Sequence, residues 1–559
     1  MKQIIECVPN FSEGRDMNII KQITNEIEAV EGVRLLDVDP GKATNRTVVT
    51  FVGTPDVVVE AAFRAIKKAS EIIDMSKHTG EHPRMGATDV CPLVPISGIS
   101  MEETALYART LAKRVGEELQ IPVFCYEFAC FSEERRNLAN CRKGEYEGLK
   151  ARFEGGEIPD FGQAKLNVKA GATAISARNF LVAYNVNLNT TSTRRANAIA
   201  FDVREAGRLL FEGGKSYGKP LLDENGVQKR VPGTLKKTKA IGWYIEEYGI
   251  AQISMNLTDI TVTPVHKAFD EVAKSAQTRG IRVTGSELVG LVPLNSLLEA
   301  ADHYLRLQER SLGISEKEKI KIAVKSLGLD ELKPFVPEER VIEYLLENKA
   351  NKPLINMTLK AFADETASES PAPGGGSISA YMGSLGISLA TMVANLSAHK
   401  RGWDERWEEF SDWAVKGENI KNQLINLVDE DTNAFNKIMD AFGLSKATEA
   451  EKLARNQAIQ SATKYATEVP FKVMQLAFES MKTIKAMAEI GNPNSVTDAG
   501  VGALAARSAV KGAFLNVKIN AAGLEDKMFA QSIINEGREI ELEAEKMENE
   551  ILAIVNSKI

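Results

Sequence analysis

Residues 33–74 read "VRLLDVDPGKATNRTVVTFVGTPDVVVEAAFRAIKKASEIID" and carry two periodicities in one run. Residues 33–40 and 46–53 are apolar, rich in β-branched side chains and closed by Pro or Gly, which predicts two strands of one sheet. From Pro55 the apolar positions recur at helical spacing, and proline sits where a helix start tolerates it, which predicts a helix over 55–74. Sheets covered by helices follow from that alternation. The pattern continues in 99–119, a predicted helix opened by Ser100 with Glu103 three residues on, a capping box. Residues 121–129 then return to strand.

A second such unit starts near residue 180. Strands are predicted over 180–190, 251–260 and 281–293, with helices over 192–207 and 264–278. Between them, 209–239 is rich in Gly, Pro and Lys and predicts a long surface loop. Its cationic end (Lys229, Arg230, Lys236, Lys237, Lys239) suits an anionic substrate tail. Residues 345–352 are polar and close on a proline, which predicts a linker. Beyond them the 3.6-residue period holds almost throughout. The expected class is α+β, with two α/β-sandwich subdomains (1–179 and 180–344) whose sheets are covered by helices. A linker (345–352) and an all-α helical bundle (353–559) follow.

A chain of 559 residues is too long for one core. Its net charge of -7 supplies no cationic footprint for nucleic acid. The absence of a run of some 18 uncharged apolar residues argues against a membrane span. The N-terminus carries Glu6 and no apolar core, so it does not read as a secretory signal. The five cysteines (Cys7, Cys91, Cys125, Cys130, Cys141) are odd in number and form no Cys-x-x-Cys, which predicts reduced thiols in a cytoplasmic protein.

Three polar loops fall in the first unit. "KHTGEHPRMG" (77–86) holds His78, Glu81, His82 and Arg84 in a chain with five histidines. His-x-x-Glu-His is the inverted zinc-peptidase spacing, which needs both imidazoles on one helix face. Gly80 and Pro83 disfavour a helix there, so the segment reads as a loop without a nameable third metal ligand. The residues alone leave an acid–base site and two ordinary loop histidines both open. Asn10, Ser12, Glu13 and Gly14 follow a short strand, and Asp37, Asp39, Asn45 and Arg46 lie between two apolar strands. Turn chemistry would account for either group, while three such loops in one unit point to a shared pocket.

In the helical part, Gly374, Gly375 and Gly376 precede Ser377 and a long helix, where free N–H groups would suit an anion or close packing. No Gly-Lys-Ser/Thr follows, so this is no Walker loop. Asp429, Glu430 and Asp431 sit in an apolar helical pattern. Asp429 and Asp431, two apart, point in different directions, so at most one faces a pocket. Asp498 opens a small-residue helix, where a cap would be role enough.

These segments together resemble a known family. "ECVPNFSEG", "LLDVD", "TNRTVVTFVG", "DMSKHTGEHPRMGATDVCP", "AIGWY" and "GSELVGLVPL" are similar to the formimidoyltransferase domain of the formimidoyltransferase-cyclodeaminase family. "PAPGGGS", "LVDEDTNAF" and "GNPNSVTD" are similar to its cyclodeaminase/methenyltetrahydrofolate cyclohydrolase domain. The resemblance implies transfer of the formimidoyl group of N-formimidoyl-L-glutamate to tetrahydrofolate. Cyclisation to 5,10-methenyltetrahydrofolate with loss of ammonia would follow, in histidine degradation. It implies His82 as the transferase residue and Asp429 as the cyclodeaminase aspartate. It implies folate-binding segments at Gly162, Gln163, Ala164, Lys165, Leu166, Asn167, Val168, Lys169, Ala170 and Gly171, and around Lys236, Lys237 and Lys239. Tetrahydrofolate, polyglutamylated, is the implied co-substrate, with no metal. The implied partners are small molecules and further copies of the chain in a homo-oligomer built from dimers, with no nucleic acid and no membrane.

Overall fold

The computed structural model describes residues 3–42, 44–80, 83–214, 218–346 and 353–559. These form two compact units that do not follow chain order. One comprises Met1–Ser296 and Leu327–Leu345, the other Leu297–Ser326 and Leu346–Ile559. The expected linker at 345–352 lies outside the described residues from position 347 onward.

In the first unit, β1 (Ile4–Cys7) and β2 (Asn10–Phe11) are one strand interrupted at Pro9, which has no N–H for the ladder. α1 (Met17–Glu28) precedes the hairpin of β3 (Arg34–Gly41) and β4 (Arg46–Gly53), and α2 (Pro55–Ile72) follows it. β5 (Thr88–Ser97), α3 (Met101–Glu118), β6 (Val123–Glu127), short α4 (Leu138–Cys141), α5 (Glu145–Glu154) and β7 (Thr173–Ala177) complete the subdomain. β1 and β2 lie between β4 and β5, antiparallel to both, whereas β7 runs parallel to β5 and β6. The capping box of α3 is formed, with Glu103 N–H donating to Ser100 Oγ at 3.1 Å and Ser100 N–H to the Glu103 carboxylate at 2.8 Å.

Strand alternation sorts the sheet into two faces. Cys7, Phe11, Val49, Phe51, Cys91 and Ile175 join the apolar core with α1–α3. Glu6, Asn10, Arg46 and Val48, of opposite parity, point the other way, where α5 covers only the β5–β7–β6 end through Leu149 and Phe153. Asp37 and Asp39, grouped above with the loop, belong to β3 itself, as the strand predicted over 33–40 has them, and the ladder runs on to Pro40–Thr47 and Gly41–Arg46.

The second subdomain is an antiparallel sheet of β8 (Val182–Leu188), β11 (Thr238–Ile245), β12 (Ile250–Leu257) and β13 (Val283–Val289), ordered β11-β12-β8-β13. α6 (Thr193–Val203) and α7 (Val265–Gln277) belong to it. The expected loop 209–239 contains β10 (Arg230–Val231), which pairs with β9 (Arg208–Leu209), and runs into β11. α8 (Leu294–Leu307) and α9 (Glu316–Leu327) come next, then short α10 (Pro337–Arg340) and α11 (Ile342–Leu346).

The second unit is all helix, with α12 (Leu359–Thr366), α13 (Gly375–Ala398), α14 (Trp407–Gly443), α15 (Glu449–Ile490), α16 (Val496–Ala522) and α17 (Lys527–Asn556). The view that no segment could span a membrane needs correcting. α13 is uncharged over 24 residues and long and apolar enough to cross one, and here most of it is buried inside the bundle. It packs against α16 through small residues, including Gly386, Gly502, Ala506 and Ala509. A Cβ on Gly386 would stand 2.9 Å from the Gly502 carbonyl oxygen, tighter than van der Waals contact allows. Helix propensity favours alanine over glycine by about 1 kcal/mol, while overpacking costs about 1–3 kcal/mol. Gly386→Ala is therefore expected to lower the urea midpoint of the helical unit, against its propensity.

Candidate functional site

Asn45 ties three loops of the first unit together. Its backbone is left-handed (φ 48°), a conformation asparagine tolerates. Its Oδ1 accepts from Gly14 N–H at 3.0 Å, its Nδ2 donates to the Thr79 carbonyl at 2.9 Å, and its own carbonyl takes His78 Nε2–H at 3.0 Å. The approach is so close that a Cβ on Gly14 would collide with the Gly41 carbonyl, and one on Gly80 with that of Thr44. Of the neighbouring candidates, Glu13 accepts from the N–H groups of Arg15 and Asp16 as a local turn cap. Ser12 donates to the Gly86 carbonyl at 2.7 Å.

Arg84 holds the histidine loop from its far side. Nε donates to His78 Nδ1 at 3.2 Å, Nη1 to Glu145 and Glu147 at 3.1 and 2.9 Å, and Nη2 to Glu147 and the His78 carbonyl at 2.7 and 3.3 Å. All five donors of the guanidinium are thus used within the protein. The Arg84 hydrogen bond in turn holds the Glu147 carboxyl below its usual range. A guanidinium cannot give up its proton, so Nδ1 of His78 must accept and Nε2 must carry the hydrogen that Asn45 takes. The inverted zinc spacing would need a ring lone pair that Arg84 already uses. Glu81 and His82 lie outside the described residues.

The segment 162–171 fastens both flanks of the same loop. Lys169 O accepts from Met75 N–H at 2.9 Å, Ala170 O from Ala87 N–H at 2.8 Å, and Met85 O from Ala172 N–H at 2.9 Å. Tyr146 adds a bond to the Val168 carbonyl at 2.6 Å, and Asn167 Oδ1 takes Ala170 N–H at 3.0 Å. Gly162 and Gly171 have positive φ (82° and 71°), while Gln163, Ala164 and Lys165 are exposed and Leu166 is half-buried.

On the sheet face turned from α1–α3, Asp39, Val48 and Asn10 stand side by side across β3, β4 and β2, with Arg46 one ladder step away. Arg46 Nη2 donates to Asn10 Oδ1. Burial raises the Asp37 carboxyl, helped by Asp39. Sequence reasoning missed Asp89, which is fully buried and held by Arg142 through two contacts and by Met85 N–H at 3.0 Å. Burial raises its carboxyl and Arg142 lowers it. Glu6, buried on the same face, is pushed up to about 7 by desolvation, against the pull of Arg178.

In the second subdomain Lys236, Lys237 and Lys239 are exposed, and the last two lower the half-buried Glu127 carboxyl, which desolvation raises. The face of this sheet turned from its apolar core carries a polar chain that the sequence reading passed over. Gln252 donates to Asn187 at 2.7 Å, and Asn187 to Glu331 at 2.6 Å. Its one sequence signal is the period-two recurrence of Asn185 and Asn187 inside an apolar strand.

In the helical unit the paired aspartates part, as their spacing requires. Asp429 is buried and accepts from the backbone N–H groups of Leu354 and Ile355 at 2.8 and 3.2 Å. Asp431 faces the N-terminus of α13, where it accepts from Ser377 N–H at 3.0 Å and lies 3.3 Å from Ser377 Oγ. Gly374 caps that helix, Gly375 borders Asn516, and a Cβ on Gly376 would strike the Asp431 carboxylate. Burial raises the Asp431 carboxyl, opposed by its two bonds to Ser377. Asp498 is not the cap of α16, which is Ser495, and belongs to its first turn. Asn492 bonds Ser397 at one end of α13 and Gly375 meets Asn516 at the other. Asp498 and Asp431 therefore stand roughly 30 Å apart along the bundle. A cleft of about 540 Å³ beside Asn395, His399 and Glu418 contains none of these candidates.

Comparison with known proteins joins the two clusters. Family models described as "Formiminotransferase domain, N-terminal subdomain", "Formiminotransferase domain" and "Formiminotransferase-cyclodeaminase" match residues 4–178, 183–347 and 358–539. A Mus musculus protein named formimidoyltransferase-cyclodeaminase is 41% identical over 95% of each chain. The chain belongs to the formimidoyltransferase-cyclodeaminase family. A glutamate formimidoyltransferase of Streptococcus pyogenes is 40% identical over 55% of this chain and 95% of its own. A methenyltetrahydrofolate cyclohydrolase of Methylorubrum extorquens is 37% identical over 36% of this chain and 98% of its own.

The Asp89–Arg142 pair gives the clearest test of what supports the first cluster. Removing one partner of a buried pair strands the other charge, at about 3–5 kcal/mol. Arg142→Met is expected to cost about that much in chemical denaturation followed at the first unit, and Asp89→Asn on top of it to recover much of the loss.

Proposed function

We propose that the chain catalyses two consecutive one-carbon steps. It moves the formimidoyl group from N-formimidoyl-L-glutamate to N5 of tetrahydrofolate, releasing glutamate. It then closes 5-formimidoyltetrahydrofolate to 5,10-methenyltetrahydrofolate and releases ammonia. The observation that carries this reading is that both halves match one family over nearly the whole chain.

The first step runs through a tetrahedral adduct in which N5 attacks the amidine carbon and loses its proton. The glutamate nitrogen gains one and departs. One imidazole of near-neutral pKa can do both, and His82 is assigned that role. His78 is not, because both its ring nitrogens are engaged by Arg84 and Asn45. In the second step N10 attacks the same carbon and the amidine nitrogen needs a proton to leave as ammonia. Asp431 is the better carrier of the two aspartates. Its carboxyl is raised by burial and meets a helix start, whereas Asp429 is committed to two backbone N–H groups. The exposed Lys236, Lys237 and Lys239 favour a polyglutamylated folate tail. Free cysteines favour a cytoplasmic site of action. Exposed Leu385, Leu515 and Ile519 on α13 and α16 favour a homo-oligomer.

Formimidoylglutamate and tetrahydrofolate supplied together should yield methenyltetrahydrofolate absorbance and ammonia in step. His82→Ala should abolish transfer and spare cyclodeamination. Asp431→Asn should slow cyclodeamination by roughly 10²–10⁴-fold and spare transfer. A raised carboxyl stays protonated to higher pH and loses its proton above that value, so wild-type cyclodeamination should decline on the alkaline side and the residual Asp431→Asn rate should not. Asp429→Asn should chiefly lower stability, by about 1–3 kcal/mol. If Asp429→Asn removed the second activity from a folded protein and Asp431→Asn did not, the assignment would be reversed.

A further inference from the structure

Arg46 opens β4 on the face of the first sheet turned from α1–α3, and its guanidinium is incompletely satisfied. Nη2 is anchored by Asn10. Nε is sealed from solvent and meets no acceptor. No carboxylate among the described residues pairs with it. Asp89 and Asp39 act on it only through space, and Asp89 is already held by Arg142, whose own charge opposes that of Arg46. Desolvation depresses the group to about 10, far below the ordinary arginine range. Arg46 as a whole is half-buried, a partly desolvated cation without a counter-ion is costly, and an arginine fork is shaped for a carboxylate.

We propose that Arg46 binds a carboxylate of the amino-acid donor, beside the nitrogen that surrenders the transferred group. This deepens the transferase reading and rests on it. The choice of donor over folate follows from position and from the chemistry of the two substrates. The carbonyl of Asn45, the residue next to Arg46, takes the His78 hydrogen, so Arg46 adjoins the backbone that carries the histidine loop. In formimidoylglutamate only the nitrogen and Cα separate the transferred carbon from the α-carboxylate. In folate the whole p-aminobenzoyl group stands between N5 and the nearest carboxylate. A carboxylate site close to the reacting carbon therefore fits the donor. Asn10 orients the guanidinium, and Asp39 on the adjacent strand is placed to meet the donor's cationic amidine.

The test uses the full chain with Arg46→Gln and Arg46→Lys. Glutamate binding is followed by calorimetry, and transfer kinetics by varying each substrate. Arg46→Gln is expected to weaken glutamate binding and raise KM for formimidoylglutamate by roughly 10–100-fold. KM for tetrahydrofolate bearing one or several glutamates should move less than about twofold. Arg46→Lys should recover only part, since it restores charge without the fork. A chemical-denaturation midpoint of the first unit equal to the wild type's, with an unchanged circular dichroism spectrum, certifies that each variant is folded. Unaltered glutamate binding in a folded Arg46→Gln protein overturns the proposal. So does a rise in KM confined to polyglutamylated folate, which would place the folate tail there. A wild-type chain that binds glutamate through Arg46 yet transfers nothing from formimidoylglutamate would sink the transferase reading and leave Arg46 an amino-acid carboxylate site.

Discussion

One side-chain amide sets the spacing of the first cluster. Asn45 satisfies a backbone donor on the loop of Gly14 and a backbone acceptor at Thr79, while its own carbonyl fixes the tautomer of His78. Everything around it follows from that closeness. Glycine is needed where the loops touch, at positions 14 and 80, because any side chain would occupy the space of a carbonyl. Arg84 can then reach His78 on one side and α5 on the other. A buried amide that lost one of these bonds would leave an unpaired polar group, at about 1–3 kcal/mol each.

The helical unit solves a different problem with the same kind of residue. Its longest apolar helix is kept in the bundle by backbone-to-backbone approach, with Gly386 and Gly502 standing where larger residues would push α13 from α16. At the start of that helix the absence of a side chain at Gly376 leaves room for the Asp431 carboxylate against the Ser377 N–H. The two Ser377 hydrogen bonds favour the anion and burial disfavours it, and burial has the larger effect.

Local periodicity made much of the fold legible. The hairpin, α2, α3 with its capping box and the long C-terminal helices all announce themselves within a few residues. What stayed hidden is non-local. Arg84 meets Glu147 across 63 residues, and Asp89 meets Arg142 across 53, and no spacing rule links such pairs. The extent of β3 is legible to within a residue, but Asp37 and Asp39 look like turn residues and group with the loop, although the ladder carries them in the sheet. Asp429 and Asp431 were separable in direction by their spacing, but which one met a backbone cap and which a helix start depended on partners 54 to 75 residues away.

The path of the chain bears on how it can be dissected. Leu297–Ser326 group with the helical unit, after which Leu327–Leu345 return to the first. Leu312 N–H is held by Ser411 Oγ at 3.0 Å, Asn395 donates to the Gly313 carbonyl at 2.8 Å, and Gly313 leaves no room for a side chain against Ala414. A protease cut at the polar stretch before residue 353 would leave two pieces still clasped through this excursion. A gene truncated there would make an N-terminal fragment whose Leu297–Ser326 lacks the helices it groups with, and a C-terminal fragment missing part of its wall. Fragment boundaries for crystallisation or expression would therefore need to follow the packing of α8 and α9, not the linker-like composition.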